Sequence, residues 1–452
     1  MARQIFGTDG IRGRANQGFL TPHSLVRLAQ CIGLEFMWGT HRHLVVIGKD
    51  TRRSGYMVEP ALTAGFISAG FDVVLVGPMP TPAIALLVQS LRADLGIMIS
   101  ASHNPAEDNG VKVFGRDGYK LPDKLEAAIT KRFHEFSEDD LPTAENLGSA
   151  KRLDDALGRY IEHVKTSFDK KTRLDGLKIV VDCANGAGYK IAPTILWELG
   201  AEVIPIGVHP DGYNINQDCG ATHPEALCQA VLENNAHVGI ALDGDGDRLI
   251  LVDEKGQVIN GDQILAMIGV QWSKQGRLQS NTIVATSMSN LGLEHYLKSK
   301  GITLERTDVG DRYVIEAMRK GNLNVGGEQS GHIILTDYST TGDGLVAMLQ
   351  VLLLLVEEGR PASEVFHQFD PVPQVLKNYR YKTKDLLKNS LVEESIQKAH
   401  KALEKAKGRL LIRTSGTEPL IRVMAECDDI GVMEREVQGV LDVLGKMDIE
   451  QG

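Results

Sequence analysis

A short apolar strand, a glycine-rich loop and an amphipathic helix recur along most of this chain, and that alternation confines it to layered α/β architecture. Strand candidates are LVVIGKD (44–50), DVVLVG (72–77), LGIMIS (95–100), KIVVDCA (178–184), VGIAL (238–242), TIVATS (282–287) and HIILT (332–336). Thr21-Pro22 marks a helix start, with Thr as N-cap and Pro in the first turn. With 452 residues the chain exceeds one core, and about 150 residues per domain gives three or four domains. Three breaks interrupt the pattern: the polar, acidic linker FHEFSEDDLPTAENLGSAKRLDD (133–155), the turn near Asp253–Asn260, and FDPVPQVLKN (369–378), where prolines disrupt a helical pattern. After the last break come a helix (393–406), a strand–loop–strand (409–427) and a final helix (430–445), a small α+β domain distinct from the earlier units. The expected domains are therefore 1–150, 151–254, 255–368 and 369–452, three α/β and one α+β.

Net charge is −10, which argues against a nucleic-acid binder but leaves room for a basic cleft that takes an anionic small molecule. The five cysteines, Cys31, Cys183, Cys219, Cys228 and Cys427, are odd in number and show no CxxC spacing, so neither a disulfide framework nor a structural zinc site is expected. The opening MARQIFGTDG has no apolar signal stretch, and a cytoplasmic location is expected. The longest apolar run, LVAMLQVLLLLV (345–356), contains Gln350 and is too short to span a bilayer; it reads as a buried helix, and no membrane partner is expected.

Several loops carry chemistry. Ser100-Ala101-Ser102-His103-Asn104-Pro105 follows the strand LGIMIS, so Ser102 falls where open α/β sheets place ligands, and Asn109-Gly110-Val111-Lys112 returns toward it. A Ser-His pair alone is an ordinary polar turn, whereas the extended string SASHNPxxxNGxK is far more specific. Asp243-Gly244-Asp245-Gly246-Asp247-Arg248 sets three carboxylates at alternate positions. A like-charge pair at about 4 Å costs roughly 1 kcal/mol in water and about 4 at an effective dielectric near 20, a conflict that a divalent cation removes. The loop imitates an EF-hand, with Glu254 at position 12, but Arg248 stands where that loop requires Gly and both flanks are strand-like.

Gly326-Gly327-Glu328-Gln329-Ser330-Gly331-His332 offers groups for paired hydrogen bonds to adjacent sugar hydroxyls. Arg413-Thr414-Ser415-Gly416-Thr417-Glu418-Pro419, followed by Arg422, makes a phosphate cradle that is not a Walker A loop. Near the N-terminus, Phe6-Gly7-Thr8-Asp9-Gly10-Ile11-Arg12-Gly13 offers Arg12 as a phosphate ligand, and Lys49, Arg52 and Arg53 add positive charge. Gly186-Ala187-Gly188 lacks the next glycine of a dinucleotide fingerprint and reads as a tight turn.

Together the motifs FGTDGIRG (6–13), SASHNP (100–105), DGDGDR (243–248), GGEQSGH (326–332) and RTSGTEPLIRV (413–423) span nearly the whole chain and resemble the α-D-phosphohexomutase superfamily, its amino-sugar branch most closely. The resemblance implies four domains around a central cleft. It implies Ser102 as the phosphoserine, Asp243, Asp245 and Asp247 as ligands of one Mg²⁺ per chain with a phosphoserine oxygen, and Arg248 facing the transferring phosphate. Glu328 and Ser330 would read sugar hydroxyls, and Arg413, Ser415, Gly416, Thr417 and Arg422 would clamp the distal phosphate. His103, Lys112 and His332 are acid/base or charge-stabilising candidates. The implied reaction interconverts glucosamine 6-phosphate and glucosamine 1-phosphate, with glucosamine 1,6-bisphosphate as activator and intermediate, and feeds UDP-N-acetylglucosamine and cell-envelope synthesis. Gln329 stands where the hexose-acting branch tends to carry Met. A phosphomannose/phosphoglucose mutase and a non-enzymatic divalent-ion binder are the competing readings, and a homodimer stays open.

Overall fold

The computed structural model describes residues 5–7, 9–383, 385–414 and 419–450. Four sheets follow one another along the chain. The first has the order Ile11–Arg14, Asp108–Gly115, Leu95–Ile99, Leu44–Lys49, Asp72–Pro78, Ala150–Arg152. It is parallel from Leu95–Ile99 outward to Ala150–Arg152 and antiparallel on the other side. Leu95–Ile99 is buried at every position, which is why it reads as an unbroken apolar run rather than an alternation. Helices Pro22–Glu35 and Gly55–Ser68 pack on each other and close one core against this sheet.

One expectation gains its geometry here and another changes. Asn109–Lys112 returns toward Ser102 within the strand Asp108–Gly115, which pairs with Ile11–Arg14 on one side and, from Val111 on, antiparallel with Leu95–Ile99 on the other. Gly110 permits that pairing, since a Cβ there would stand 2.5 Å from the Ser100 carbonyl oxygen and 2.7 Å from that of Ile11. The stretch 133–155 is not merely a linker, because Ala150–Arg152 forms the parallel edge strand beside Asp72–Pro78. All three of its residues are exposed, so no apolar signal announced it. Thr21 does sit at the N-cap with Pro22 behind it, yet its hydroxyl donates to the Gly18 carbonyl instead of capping the helix.

The second sheet runs Val258–Ile259, Leu249–Asp253, Val238–Leu242, Lys178–Asp182, Glu202–Ile206, and the third Thr303–Thr307, Thr282–Thr286, Val325–Gly327, Ile333–Leu335. Helix Gly344–Glu358 is buried along most of its length, as its composition requires. Asp343 caps it by accepting from the Leu345 and Val346 amides, and the left-handed Gly359 ends it. Its buried Gln350 is satisfied, accepting from Trp272 Nε1 and donating to the Ser167 carbonyl. Among the described residues no helix is long and apolar enough to cross a membrane.

The fourth sheet, Gln374–Arg380, Leu420–Glu426, Arg409–Thr414, is fully antiparallel and shares a core with helices Ser390–Lys405 and Ile430–Glu450. Its first strand begins inside the proline-marked break; no residue of that strand is fully buried, and the prolines at 371 and 373 hid it. By packing the chain divides in two. One body runs to Thr286 and resumes over Leu304–Gln368; the other joins Ser287–Thr303 to the chain from Phe369 onward. Within the second, Glu426 accepts from the Leu291 amide and Asn290, and Arg409 donates to the Ser287 and Ser289 carbonyls.

Candidate active site

Ser102 lies just past the buried strand Leu95–Ile99, but its hydroxyl is not the exposed group that a loop position predicts: the residue is 1% exposed. It adopts φ +52°, a left-handed conformation rare for a residue with a Cβ. The backbone around it is held from several sides. Its amide donates to Ser100 Oγ, and its carbonyl accepts from Arg52 and from Asn216 Nδ2, each at 2.9 Å. Arg52 also donates to the carbonyls of Asn104, Pro105 and Asp108 and pairs with Asp50. Buried to 1% exposure, Arg52 therefore supports the serine loop instead of adding charge for a ligand. Lys49 is likewise engaged, with Glu59 at 2.5 Å.

Ser102 Oγ donates to Asp243 Oδ2 at 2.6 Å and lies 3.3 Å from His103 Nδ1. Burial, reinforced by the charges of Arg248 and Arg12, pulls the His103 imidazole down to about 4, so it is neutral at neutral pH.

The aspartate loop is the turn between antiparallel strands Val238–Leu242 and Leu249–Asp253, which settles against an EF-hand. Glu254 is engaged elsewhere, accepting from the Ser363 amide and hydroxyl. Gly244 lets the two loops meet: a Cβ there would lie 2.6 Å from the Ser102 carbonyl. The neighbouring Gly186-Ala187-Gly188 turn packs on the same point, with the Ala187 amide donating to the Gly244 carbonyl.

Asp243, Asp245 and Asp247 are all buried, and their oxygens converge within 4.8 Å of one another. Asp245 Oδ1 and Asp247 Oδ1 are buried without a hydrogen-bond partner among the described residues. Converging hard oxygens with unused lone pairs fit a divalent cation. Burial and the two neighbouring carboxylates push the Asp243 carboxyl well up. Burial alone would do the same to Asp247, but Lys112, His332 and Arg248 together outweigh it and hold that carboxyl well below its ordinary range.

Lys112, 1% exposed, stands 2.9 Å from Asp245, 3.1 Å from Asp247 and 3.5 Å from Asp9. Burial works against its charge, yet the three carboxylates hold its ammonium well above the usual range. It is thus a fixed countercharge and not a base. His332, an acid/base or charge-stabilising candidate, is buried behind the aspartate loop, 3.6 Å from Asp247 and 3.6 Å from Asp311. Arg12 pairs with Asp9, and its Nε has no hydrogen-bond partner among the described residues.

Arg248 is half-buried beside the triad, and its Nε too has no hydrogen-bond partner among the described residues. Glu328 is half-buried in a tight turn closed by the Gly331 amide on its carbonyl, and burial raises its carboxyl above the ordinary value. Ser330, at the tip of that turn, is exposed, and Gln329 donates to Asp262.

Arg413 and Arg422 face each other as register partners on adjacent strands of the second body. Directly opposed residues of an antiparallel pair share a face, so the two arginines sit where guanidiniums can contact one anion together. Ser415, Gly416, Thr417 and, in the first motif, Thr8 lie outside the described residues.

Sequence reading missed a set of polar contacts around the triad. Lys120 donates to both Asp9 and Asp311, and Ser100 donates to Asp50 at 2.6 Å. Asp9 had been inside a quoted motif without a role; Lys120 and Asp311 carry no local pattern that would have marked them.

Four models of the phosphoglucomutase/phosphomannomutase family match in chain order: alpha/beta/alpha domain I over residues 3–140, domain II over 158–256, domain III over 260–372, and the C-terminal domain over 372–443. The chain is 59% identical over 442 residues to a phosphoglucosamine mutase of Granulibacter bethesdensis, covering 98% of this chain and 96% of that one. It is 58% identical over 444 residues to one of Parvibaculum lavamentivorans, covering 98% and 99%. Its fold is similar to the crystal structure of a phosphoglucomutase/phosphomannomutase family protein from Burkholderia thailandensis, with TM-score 0.82, 24% identity and coverage of 99% and 98%. It is also similar to an Aspergillus fumigatus N-acetylphosphoglucosamine mutase solved with GlcNAc-6P and magnesium, with TM-score 0.67, 18% identity and coverage of 98% and 96%.

Proposed function

Because the chain belongs to the phosphoglucomutase/phosphomannomutase family, and within it to the phosphoglucosamine mutases, we propose that it interconverts glucosamine 6-phosphate and glucosamine 1-phosphate through a phosphorylated Ser102. It is an isomerase of the phosphotransferase kind. The observation that supports the residue assignment most is the 2.6 Å contact between Ser102 Oγ and Asp243, which joins the serine loop to three converging aspartates.

In the first half-reaction the Ser102 Oγ–P bond breaks as substrate O1 bonds to phosphorus, giving glucosamine 1,6-bisphosphate. The proton lost by O1 must end on Oγ as it leaves, and His103, neutral and 3.3 Å from Oγ, is the candidate to pass it across. The bisphosphate then turns around, and Ser102 recovers a phosphoryl group from O6 with the proton returned. Lys112 and Arg248 provide fixed positive charge for the phosphoryl group in flight. A divalent cation held by Asp243, Asp245, Asp247 and a phosphoserine oxygen, Mg²⁺ by its preference for hard oxygens, would supply further neutralisation there.

Glu328 and Ser330 are the proposed readers of sugar hydroxyls. Arg12 and the pair Arg413 and Arg422, with Ser415, Gly416 and Thr417, are the proposed phosphate ligands. For the second group the support is the opposed guanidinium pair and the chemistry of the loop. A divalent cation with no membrane or nucleic-acid role fits an acidic chain acting on a small phosphosugar.

The reading predicts that glucosamine phosphate exceeds glucose and mannose phosphates in kcat/KM under Mg²⁺ with a trace of the 1,6-bisphosphate. Equal or better use of mannose phosphate would transfer the chain to the hexose-acting branch.

A further inference from the structure

Away from the aspartate loop, His41, His43 and Asp94 place two imidazole nitrogens and a carboxylate oxygen within 4.8 Å of one another. The three residues sit where two parallel strands begin. His41 and His43 immediately precede Leu44–Lys49, and Asp94 immediately precedes Leu95–Ile99. Backbone hydrogen bonding fixes the two strand starts together: the Asp94 amide donates to the Leu44 carbonyl at 2.9 Å, and the Leu44 amide donates to Asp94 Oδ2 at 3.1 Å. A stacked Phe71, with ring centroids 5.1 Å apart, sets the plane of the His43 ring. The group is thus preorganised by sheet pairing and packing as well as by the hydrogen bond between His41 Nε2 and Asp94 Oδ1.

The spacings suit a transition metal. His41 Nε2 is 2.9 Å from Asp94 Oδ1, and His43 Nδ1 is 3.5 Å from Asp94 Oδ2. Ligands about 2.0–2.1 Å from a tetrahedral zinc lie roughly 3.4 Å apart, so modest adjustment brings all three into bonding range. The decisive atom is His43 Nδ1. The residue is 4% exposed, and this nitrogen is buried with no hydrogen-bond partner among the described residues. An unsatisfied buried nitrogen is costly, and it is directed at the carboxylate beside the second imidazole. Arg116, 2.7 Å from Asp94 Oδ1, now supplies the positive charge, but its side chain is 60% exposed and free to swing into solvent. His41 is half exposed, which gives an ion a path in. Imidazole nitrogens with one carboxylate favour zinc over magnesium, the reverse of the all-oxygen aspartate triad.

We infer that His41, His43 and Asp94 form a transition-metal site of the zinc class, with water in the remaining position, that ties the start of strand Leu44–Lys49 to the start of Leu95–Ile99. The site lies at the end of the sheet opposite Ser102, separated from it by a strand rise of about 17 Å.

Equilibrium dialysis of the full chain against Zn²⁺ in excess Mg²⁺ tests this, paired with thermal melts. The wild type should retain zinc and melt at a higher temperature with it. His41→Ala, a substitution at a half-exposed residue that preserves the core, should weaken zinc binding by about tenfold or more and abolish the thermal shift. Asp245→Asn, which alters the other carboxylate cluster, should leave both intact, and Arg116→Ala should tighten binding. Zinc uptake and melting shift unchanged in His41→Ala, or lost in Asp245→Asn, would overturn the assignment. So would a wild type that takes up no zinc under these conditions.

Discussion

Ser102 carries its left-handed φ of +52° because the surrounding groups leave it no alternative. Arg52 and Asn216 hold its carbonyl and Ser100 Oγ holds its amide, so a conformation costing about 1 kcal/mol persists at the point where chemistry is proposed. Ser102→Gly removes both the hydroxyl and the strain, whereas Ser102→Ala removes only the hydroxyl. Both variants should lack mutase turnover, and the glycine variant should be the more stable by about 1 kcal/mol in denaturant titration. An alanine variant as stable as the glycine variant would show that the strain is not real; turnover in either would remove Ser102 from the mechanism. The serine and the aspartates were legible in sequence because each falls within a contiguous motif whose spacing has a chemical reason. Arg52 was legible only as a charge. Its true partners, the carbonyls of Asn104, Pro105 and Asp108, are brought to it by strand order and not by sequence proximity. Lys120 and Asp311 were invisible for the same reason.

Strands with a fully buried apolar run, such as Leu95–Ile99 and Val238–Leu242, could be bounded from sequence almost to the residue. Edge strands could not. Ala150–Arg152 and Gln374–Arg380 owe their pairing to a neighbour's unpaired backbone and leave little or no apolar trace of their own. The first of these is anchored by Asp72, which accepts from the Ser149 amide at 2.8 Å, the Ser149 hydroxyl at 2.7 Å and Arg42 at 2.7 Å. The hydrogen bond from Arg42 leads in lowering the Asp72 carboxyl to about 2, with the Ser149 contacts adding to it. An ordinary aspartate in the unfolded chain titrates near 3.9. The unfolded chain therefore takes up this proton first as pH falls, and the stabilisation is complete above about pH 4 and lost through about pH 2. Allowing for solvent screening at this partly exposed position, the contribution is about 1 kcal/mol. Unfolding free energies of wild type and Asp72→Asn from denaturant titration should differ by that amount near neutrality, and the gap should narrow as pH is lowered from about 4 to about 2. A gap independent of pH would mean that the carboxylate's charge contributes nothing there.

On the scale of the whole chain, the proposed reacting groups Ser102, Asp243, Asp245 and Asp247 belong to one packed body, while Arg413 and Arg422 belong to the other. Deleting the chain beyond Asp370 would not isolate the role of that second group. Residues 287–303 would lose Glu426 and Arg409, to which their backbone is tied. Arg422→Ala is the sharper test. Its expected effect is a fall in kcat/KM of about tenfold or more with melting temperature little changed, since a guanidinium–phosphate contact orients the substrate as well as binding it. Unaltered kinetics would dismiss the phosphate role. The central claim concerns the phosphoryl group itself, and intact-protein mass spectrometry addresses it without a coupled assay. Chain carrying an ¹⁸O-labelled phosphoryl group on Ser102 is mixed with one equivalent of unlabelled glucosamine 6-phosphate in the presence of Mg²⁺, and protein and sugar masses are followed together. The expected result is passage of the labelled phosphoryl group to the sugar while the peptide containing Ser102 acquires an unlabelled one. Catalytic turnover while the labelled group stays on Ser102, or turnover by a chain that never carries one, would contradict the account.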